Sequence, residues 1–205
     1  MPQLEKIIND YLEDIGEYYN DWHSKGHVGK IDPYVAFTTV RDNWINQNKL
    51  KELISFIHLN WRSTDSSRFT DPLETYLIKT KQIDLFKFFW KTIITERITN
   101  LFTSVHELNK QANRISAYEI SILDLSNFYI SSKDANKDLT KLVGFHRQLT
   151  LIGLVRMKNG LIQAQEINEA ATIQLIIDDI EQLNAPSLEC IDYLSNKDQA
   201  TIFAS

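Results

Sequence analysis

From Gln82 to Ala112 the chain reads QIDLFKFFWKTIITERITNLFTSVHELNKQA, with no glycine and no proline. Apolar residues recur at Ile83, Phe86, Phe89, Trp90, Ile93, Ile94, Leu101, Phe102, Val105 and Leu108. Steps of three and four are the period of a helix with one broad buried face. Phe88 and Trp90 widen the stripe around Phe89, so the first half is expected to touch neighbours on two sides. At 1.5 Å per residue such a helix spans about 45 Å. That exceeds most helices of globular proteins, so shorter helices must pack along it.

The rest of the composition suits this frame. Of 205 residues, 43% are apolar and 11% aromatic, enough for a real core, and glycine (6) and proline (4) are scarce. A net charge of −5 gives no general attraction to nucleic acid or anionic membranes. The single cysteine, Cys190, rules out an intrachain disulfide, which favours a reducing compartment. The opening residues, MPQLEKIINDYLEDIGEYY, are charged throughout and lack the apolar core of a signal peptide. No run reaches the length of a membrane span. A cytoplasmic location is therefore expected.

Helical signals fill most of the chain. Leu4, Ile7, Ile8, Tyr11, Leu12, Ile15, Tyr18, Tyr19 and Trp22 mark one face of a first helix. Gly16 interrupts it, which predicts close packing against a neighbour. Asp32-Pro33 reads as cap and first residue of a second helix, to about Asn46, with Val35, Phe37, Val40, Trp44 and Ile45 inward. A third carries Leu50, Leu53, Ile54, Phe56, Ile57 and Trp61. Ser63 to Asp71 reads as a polar loop, and Asp71-Pro72 as the cap and start of a short helix ending near Lys79.

A weak internal repeat accompanies these elements. INQNKLKELISFI, from Ile45 to Ile57, aligns with IKTKQIDLFKFFW, from Ile78 to Trp90, at an offset of 33 residues. The period is that of helical-hairpin repeats such as tetratricopeptide units, although their signature residues are absent. Packed helical hairpins are the expectation.

Beyond the long helix, Tyr118 to Ile130 reads most simply as a helix and Ser131 to Asn136 as a turn. Leu139, Leu142, Val143, Phe145, Leu149 and Ile152 then mark a helix ending at Gly153. Asn159-Gly160 stands between two short apolar runs and predicts a small β-hairpin, because both central residues of such a turn need positive φ. A helix from about Asn168 to Leu183 and a short one starting at Pro186 complete the chain. The expected organisation is a helical-hairpin region over 1–114 and a C-terminal helical region over 115–205, which can pack as one domain.

Chemistry-bearing residues are sparse. His23 and His27 have the four-residue spacing of two metal ligands on a helical turn, but Gly26 lies between them in a loop-like stretch, and a solvated loop is favoured. Glu96, His106 and Glu107 share the long helix without the Glu-x-x-His pattern of di-metal bundles. Ser121 and Ser126 lack a nucleophile-elbow motif. Cys190 beside Glu189 sits where a thiol is not activated. No phosphate-binding glycine loop is present.

The stretch LTLIGLVRMKNGLIQAQ, together with the basic residues before it, resembles the end of a winged-helix domain, in which a recognition helix runs into a strand and a two-stranded wing. Between Lys133 and Lys158, six basic residues stand against two acids. The resemblance implies Lys141, His146 and Arg147 on or near a recognition helix, and Arg156 and Lys158 on the wing. Elsewhere acids dominate: residues 161–205 hold eight against one lysine. Acidic faces of this kind steer basic partners.

The expectation is a mainly α protein of antiparallel helical hairpins around the 82–112 helix, with one small C-terminal β-hairpin. The expected function is non-catalytic protein–protein binding, as an adaptor, complex subunit or immunity-type protein, with no cofactor or metal and no membrane. Self-association is compatible with the aromatic content. The alternative is a nucleic-acid-associated regulator using the winged-helix-like module. An enzyme with a metal at His23 and His27 ranks third.

Overall fold

A computed structural model of the chain describes residues 2–26, 33–59, 67–112 and 138–195. Among them lie eight helices and no strand: α1 (Pro2–Ser24), α2 (Pro33–Asn46), α3 (Leu50–Leu59), α4 (Ser67–Lys79), α5 (Ile83–Ala112), α6 (Leu139–Gln163), α7 (Ile167–Glu181) and α8 (Leu188–Leu194). The helix expected over Tyr118–Ile130, and the turn after it, lie outside the described residues. The chain divides into two compact units, and the division falls between Phe89 and Trp90, inside α5.

In the first unit α1 packs on α2 and α3, and α2 on α4. Its core is aromatic. Tyr11 of α1 stacks on Phe56 of α3 with centroids 3.8 Å apart and meets the edge of Trp44 of α2. The Trp44 indole N–H donates to Asp14, which ties α2 to α1. Burial pushes the Tyr11 phenol well above its usual pKa, with Arg41 pulling the other way. His58 of α3 meets the Phe88 ring edge to face and the Phe89 ring stacked, and reaches the Phe89 carbonyl through Nε2 at 3.1 Å.

Three expectations for this unit are corrected. Val35 does not point inward; it is exposed. A Cβ built on Gly16 meets nothing within 4 Å, so that glycine serves no close packing. Residues Ser67–Asp71 are helical, so α4 starts before the expected Asp71-Pro72 boundary and Pro72 lies inside the helix. Proline forgoes one hydrogen bond to the residue four before it. The burial of Thr70, Leu73 and Leu77 at three- and four-residue steps offsets that loss and extends the buried face one turn earlier.

In the second unit the rest of α5 runs antiparallel to α6: Ser104 meets His146, Arg97 meets Leu149, and Trp90 lies at Arg156. α7 folds back on α6, and α8 packs on α7. The expected hairpin at Asn159-Gly160 is absent, and α6 runs without a break through Gly153 to Gln163. Neither Asn159 nor Gly160 takes positive φ. The reason lies in the buried stripe Val143, Arg147, Thr150, Leu154, Met157 and Leu161, which alternates steps of four and three over the full helix. Two of its positions are polar, which hides the period from a reading of apolar residues. The stripe carries the Asn-Gly pair along in helical conformation, and Gly160 is buried within it.

Candidate functional site

Asp138 starts α6 as its N-cap, its carboxylate accepting from the Thr140 N–H at 2.8 Å. The five residues that the winged-helix resemblance grouped, Lys141, His146, Arg147, Arg156 and Lys158, all lie on this one helix. With no strand among the described residues, which include 138–195, the expected wing is absent there, and 100° per residue scatters the five around the axis. Lys141 is exposed. The other four engage the second unit itself.

Arg147 is buried, and its guanidinium donates from Nε to the Ile180 carbonyl at 3.3 Å and from Nη2 to the Glu181 carbonyl at 2.7 Å. These are terminal carbonyls of α7, which lack partners within their own helix and carry the negative end of its dipole. Arg147 therefore caps α7. Burial lowers its pKa and the Glu181 carboxylate raises it. Lys158 donates to Gln174 Oε1 at 2.7 Å, and Gln174 passes the chain on to Asp178 at 2.7 Å. The Arg156 guanidinium lies over the Trp90 ring, 5.3 Å from its centroid.

His146 faces α5. Its Nδ1 lies 2.9 Å from Ser104 Oγ and 3.2 Å from the Asn100 carbonyl, and Ser104 also donates to that carbonyl. A serine beside an imidazole is the start of a nucleophile–base pair. In such a pair the orienting group holds the nitrogen away from the serine. Here serine and orienting carbonyl share one nitrogen, and Ser104 is buried in mid-helix. The arrangement fastens α5 to α6 rather than activating a hydroxyl. Burial lowers the His146 pKa, against the hydrogen bond to Asn100.

Two turns before Ser104 in α5, Arg97 reaches over Gly153 to the Leu149 carbonyl at 2.8 Å. A Cβ on Gly153 would lie 2.7 Å from Arg97 Nη1 and 3.3 Å from Trp90. Glycine leaves room there for a charged side chain and an indole that cross the helix backbone.

α8 is held at its other end. The Tyr193 hydroxyl donates to Glu169 at 2.6 Å, Lys91 Nζ lies 3.9 Å from the Tyr193 ring centroid, and Ser187 caps the helix. Burial, with the Glu169 bond, pushes the Tyr193 phenol far above its usual pKa. Cys190 is buried beneath the helix.

Of the remaining candidates, His23 is exposed at the end of α1 and meets Trp22 edge to face, while His27, Ser121 and Ser126 lie outside the described residues. Glu96, His106 and Glu107 are exposed on α5. Among the described residues no three His, Cys, Asp or Glu side chains converge as a metal site, and no helix is long and apolar enough to cross a membrane. Arg97, Ser104 and Thr150 are buried polar residues that apolar periodicity alone does not mark. Their signal is positional: each occupies a slot that the apolar stripe of its helix leaves open. Comparison with protein-family models, curated proteins and solved structures gives no match.

Proposed function

We propose that the protein is a non-catalytic binding protein, an adaptor, complex subunit or immunity-type binder, whose partner is another protein with a basic surface. What supports this reading is the outer side of α8. Leu188, 81% exposed, and Ile191 stand one turn apart with Glu189 and Asp192 beside them. Cys190 and Leu194 on the inner side, with Tyr193, hold the helix down, so the exposed pair is presented on a fixed support. From Asn159 to Ser195 the chain carries seven acids and no lysine or arginine. Apolar anchors within an acidic rim suit a basic, amphipathic protein surface.

The test is an affinity pulldown of tagged protein from its native cell extract, in nuclease-treated and untreated halves, beside Leu188→Glu and Ile191→Glu. The reading expects a stoichiometric protein partner that survives nuclease and is lost with either variant. Recovery of nucleic acid, with partners released by nuclease, would transfer support to the nucleic-acid-associated alternative. A partner retained by both variants, or turnover of a substrate by the pure protein, would overturn the reading.

A further inference from the structure

Beyond α7 the chain turns back, and α8 packs on α7 with Tyr193 reaching Glu169 near the start of that helix. Pro186, Cys190 and Leu194 are buried at steps of four, so one side of Pro186–Leu194 lies against the second unit. The two residues before this segment, Asn184 and Ala185, are exposed. α8 has seven residues, too few for a helix to stand without tertiary support. Its existence therefore depends on what holds the segment down.

Backbone hydrogen bonding separates the segment from α7. The end of α7 is complete without it. The N–H groups of Leu183 and Asn184 return to the carbonyls of Ile180 and Asp179, and Arg147 takes the carbonyls of Ile180 and Glu181. The ends of α8 are served from within. The Ser187 hydroxyl accepts from the Cys190 N–H, and the N–H groups of Ile191 and Ser195 go to the carbonyls of Ser187 and Ile191. Among the described residues no backbone-to-backbone hydrogen bond joins α8 to another helix. Lifting α8 thus breaks none of the backbone bonds that make α5, α6 and α7 helical.

Side chains make the attachment. The Tyr193 hydroxyl donates to Glu169 of α7 at 2.6 Å, and Lys91 Nζ of α5 lies 3.9 Å from the Tyr193 ring centroid. A phenol that donates to a carboxylate gains negative charge on its ring, which strengthens the attraction of the ring for the ammonium. Thr95 Oγ approaches the Leu194 carbonyl at 3.5 Å, but its one proton already goes to the Lys91 carbonyl at 2.8 Å, so it adds little. Tyr193 joins α8 to both α5 and α7 through a single side chain.

We propose that Pro186–Leu194 is a hinged strap: it opens about Asn184 and Ala185 while α5, α6 and α7 stay folded, and Tyr193, seated between Lys91 and Glu169, is its catch. Closed, the strap fixes Leu188 and Ile191 in place. Open, it releases them and uncovers Cys190. A partner that binds the closed face draws the strap shut, to the extent that it prefers that state. This last step rests on the reading of α8 as a binding surface, whereas the strap itself does not.

The one cysteine of the chain reports the opening. Cys190 is 4% exposed and exchanges with an aromatic disulfide reagent only when uncovered. The full chain is labelled at reagent concentrations where the rate is proportional to reagent, across urea concentrations below the unfolding transition. The expected rate is nearly flat in urea, because a strap exposes little surface when it opens. Tyr193→Phe keeps the ring over Lys91 and loses the bond to Glu169, and should label about ten-fold faster or more. Glu169→Gln, which keeps a weaker acceptor, should accelerate labelling less, and circular dichroism reports whether each variant folds. Val143→Ala, at the far end of α6, should lower the urea midpoint and leave the labelling rate unchanged. Amide hydrogen exchange should find α8 opening with the same free energy as Cys190 while α6 and α7 stay protected. A rate that climbs steeply with urea and rises with Val143→Ala would mean that Cys190 is uncovered only when the whole unit unfolds, and the strap would be overturned. A rate indifferent to both Tyr193→Phe and Glu169→Gln would overturn the catch. No partner enters these measurements, so their failure and the failure of the pulldown are read separately.

Discussion

At the scale of single residues, two glycines in helices stand for opposite physics. Gly16 of α1 has open space where a side chain would begin, so its backbone freedom is pure cost to the folded state. Gly16→Ala is expected to stabilise the protein by about 0.5–1 kcal/mol. Gly153 of α6 has Arg97 and Trp90 lying across it, and both are buried and held. Gly153→Ala removes the same entropic cost but forces the guanidinium off the Leu149 carbonyl. A net loss of about 1–3 kcal/mol is expected. Urea denaturation of the two variants checks both signs at once, and the same sign for both would contradict the account. Nothing in the sequence distinguishes these glycines, because the difference lies in what another helix brings to them. Arg147 carries the same lesson: a basic residue in a basic stretch reads as a surface contact, and only the position of the α7 terminus turns it into a buried cap.

At the scale of elements, the helices share one way of ending. After α2, α4, α6 and α7 a residue with positive φ follows: Asn48, Lys81, Gln165 and Leu183. At each, its N–H returns to the carbonyl three residues back and the next N–H to the carbonyl five back, as at Asn48 to Ile45 and Lys49 to Trp44. This is the Schellman cap, which usually has glycine in the left-handed position. After α2, α4 and α6 the following helix begins at once, so three connections of three residues share one geometry. The offset-33 alignment superposes the first two of them, turn on turn. The repeat is therefore a repeated connection, with Asn48 opposite Lys81. A left-handed conformation costs an ordinary residue about 1–2 kcal/mol and asparagine less. Lys81→Gly and Gln165→Gly, both at exposed positions, are each expected to stabilise by about 0.5–1 kcal/mol, and Asn48→Gly by less. Thermal unfolding that ranked Asn48→Gly first would contradict this.

At the scale of the whole molecule, acid acts on both units through a partly buried imidazole. Burial holds His58 down to about 4, against a smaller upward effect of its bond to Phe89, and His146 is lowered as well. A histidine that stays neutral in the fold but titrates near 6.5 when unfolded binds protons preferentially in the unfolded chain. Stability is thus retained above about 6.5 and falls as the pH drops, until His58 itself protonates near 4. The His58 contribution to that loss is about 3 kcal/mol. His58→Gln, which keeps a neutral donor for the Phe89 carbonyl, should flatten the dependence over this window, and an unchanged slope would remove His58 as its cause. The sequence by itself determined the helical class, the long α5, and most helix boundaries, since these depend on local periodicity, scarce glycine and caps read within a few residues. It also determined that α7 is acidic and α6 basic. Only the tertiary structure decided that α6 runs on through Asn159-Gly160. A local turn preference is worth little against a buried stripe about five turns long, and two polar members of that stripe, Arg147 and Thr150, have their hydrogen bonds satisfied by carbonyls in the fold. Thr150 finds its acceptor one turn back on its own helix, but Arg147 is buried only because the end of α7 brings carbonyls within its reach, and those lie over thirty residues away in sequence.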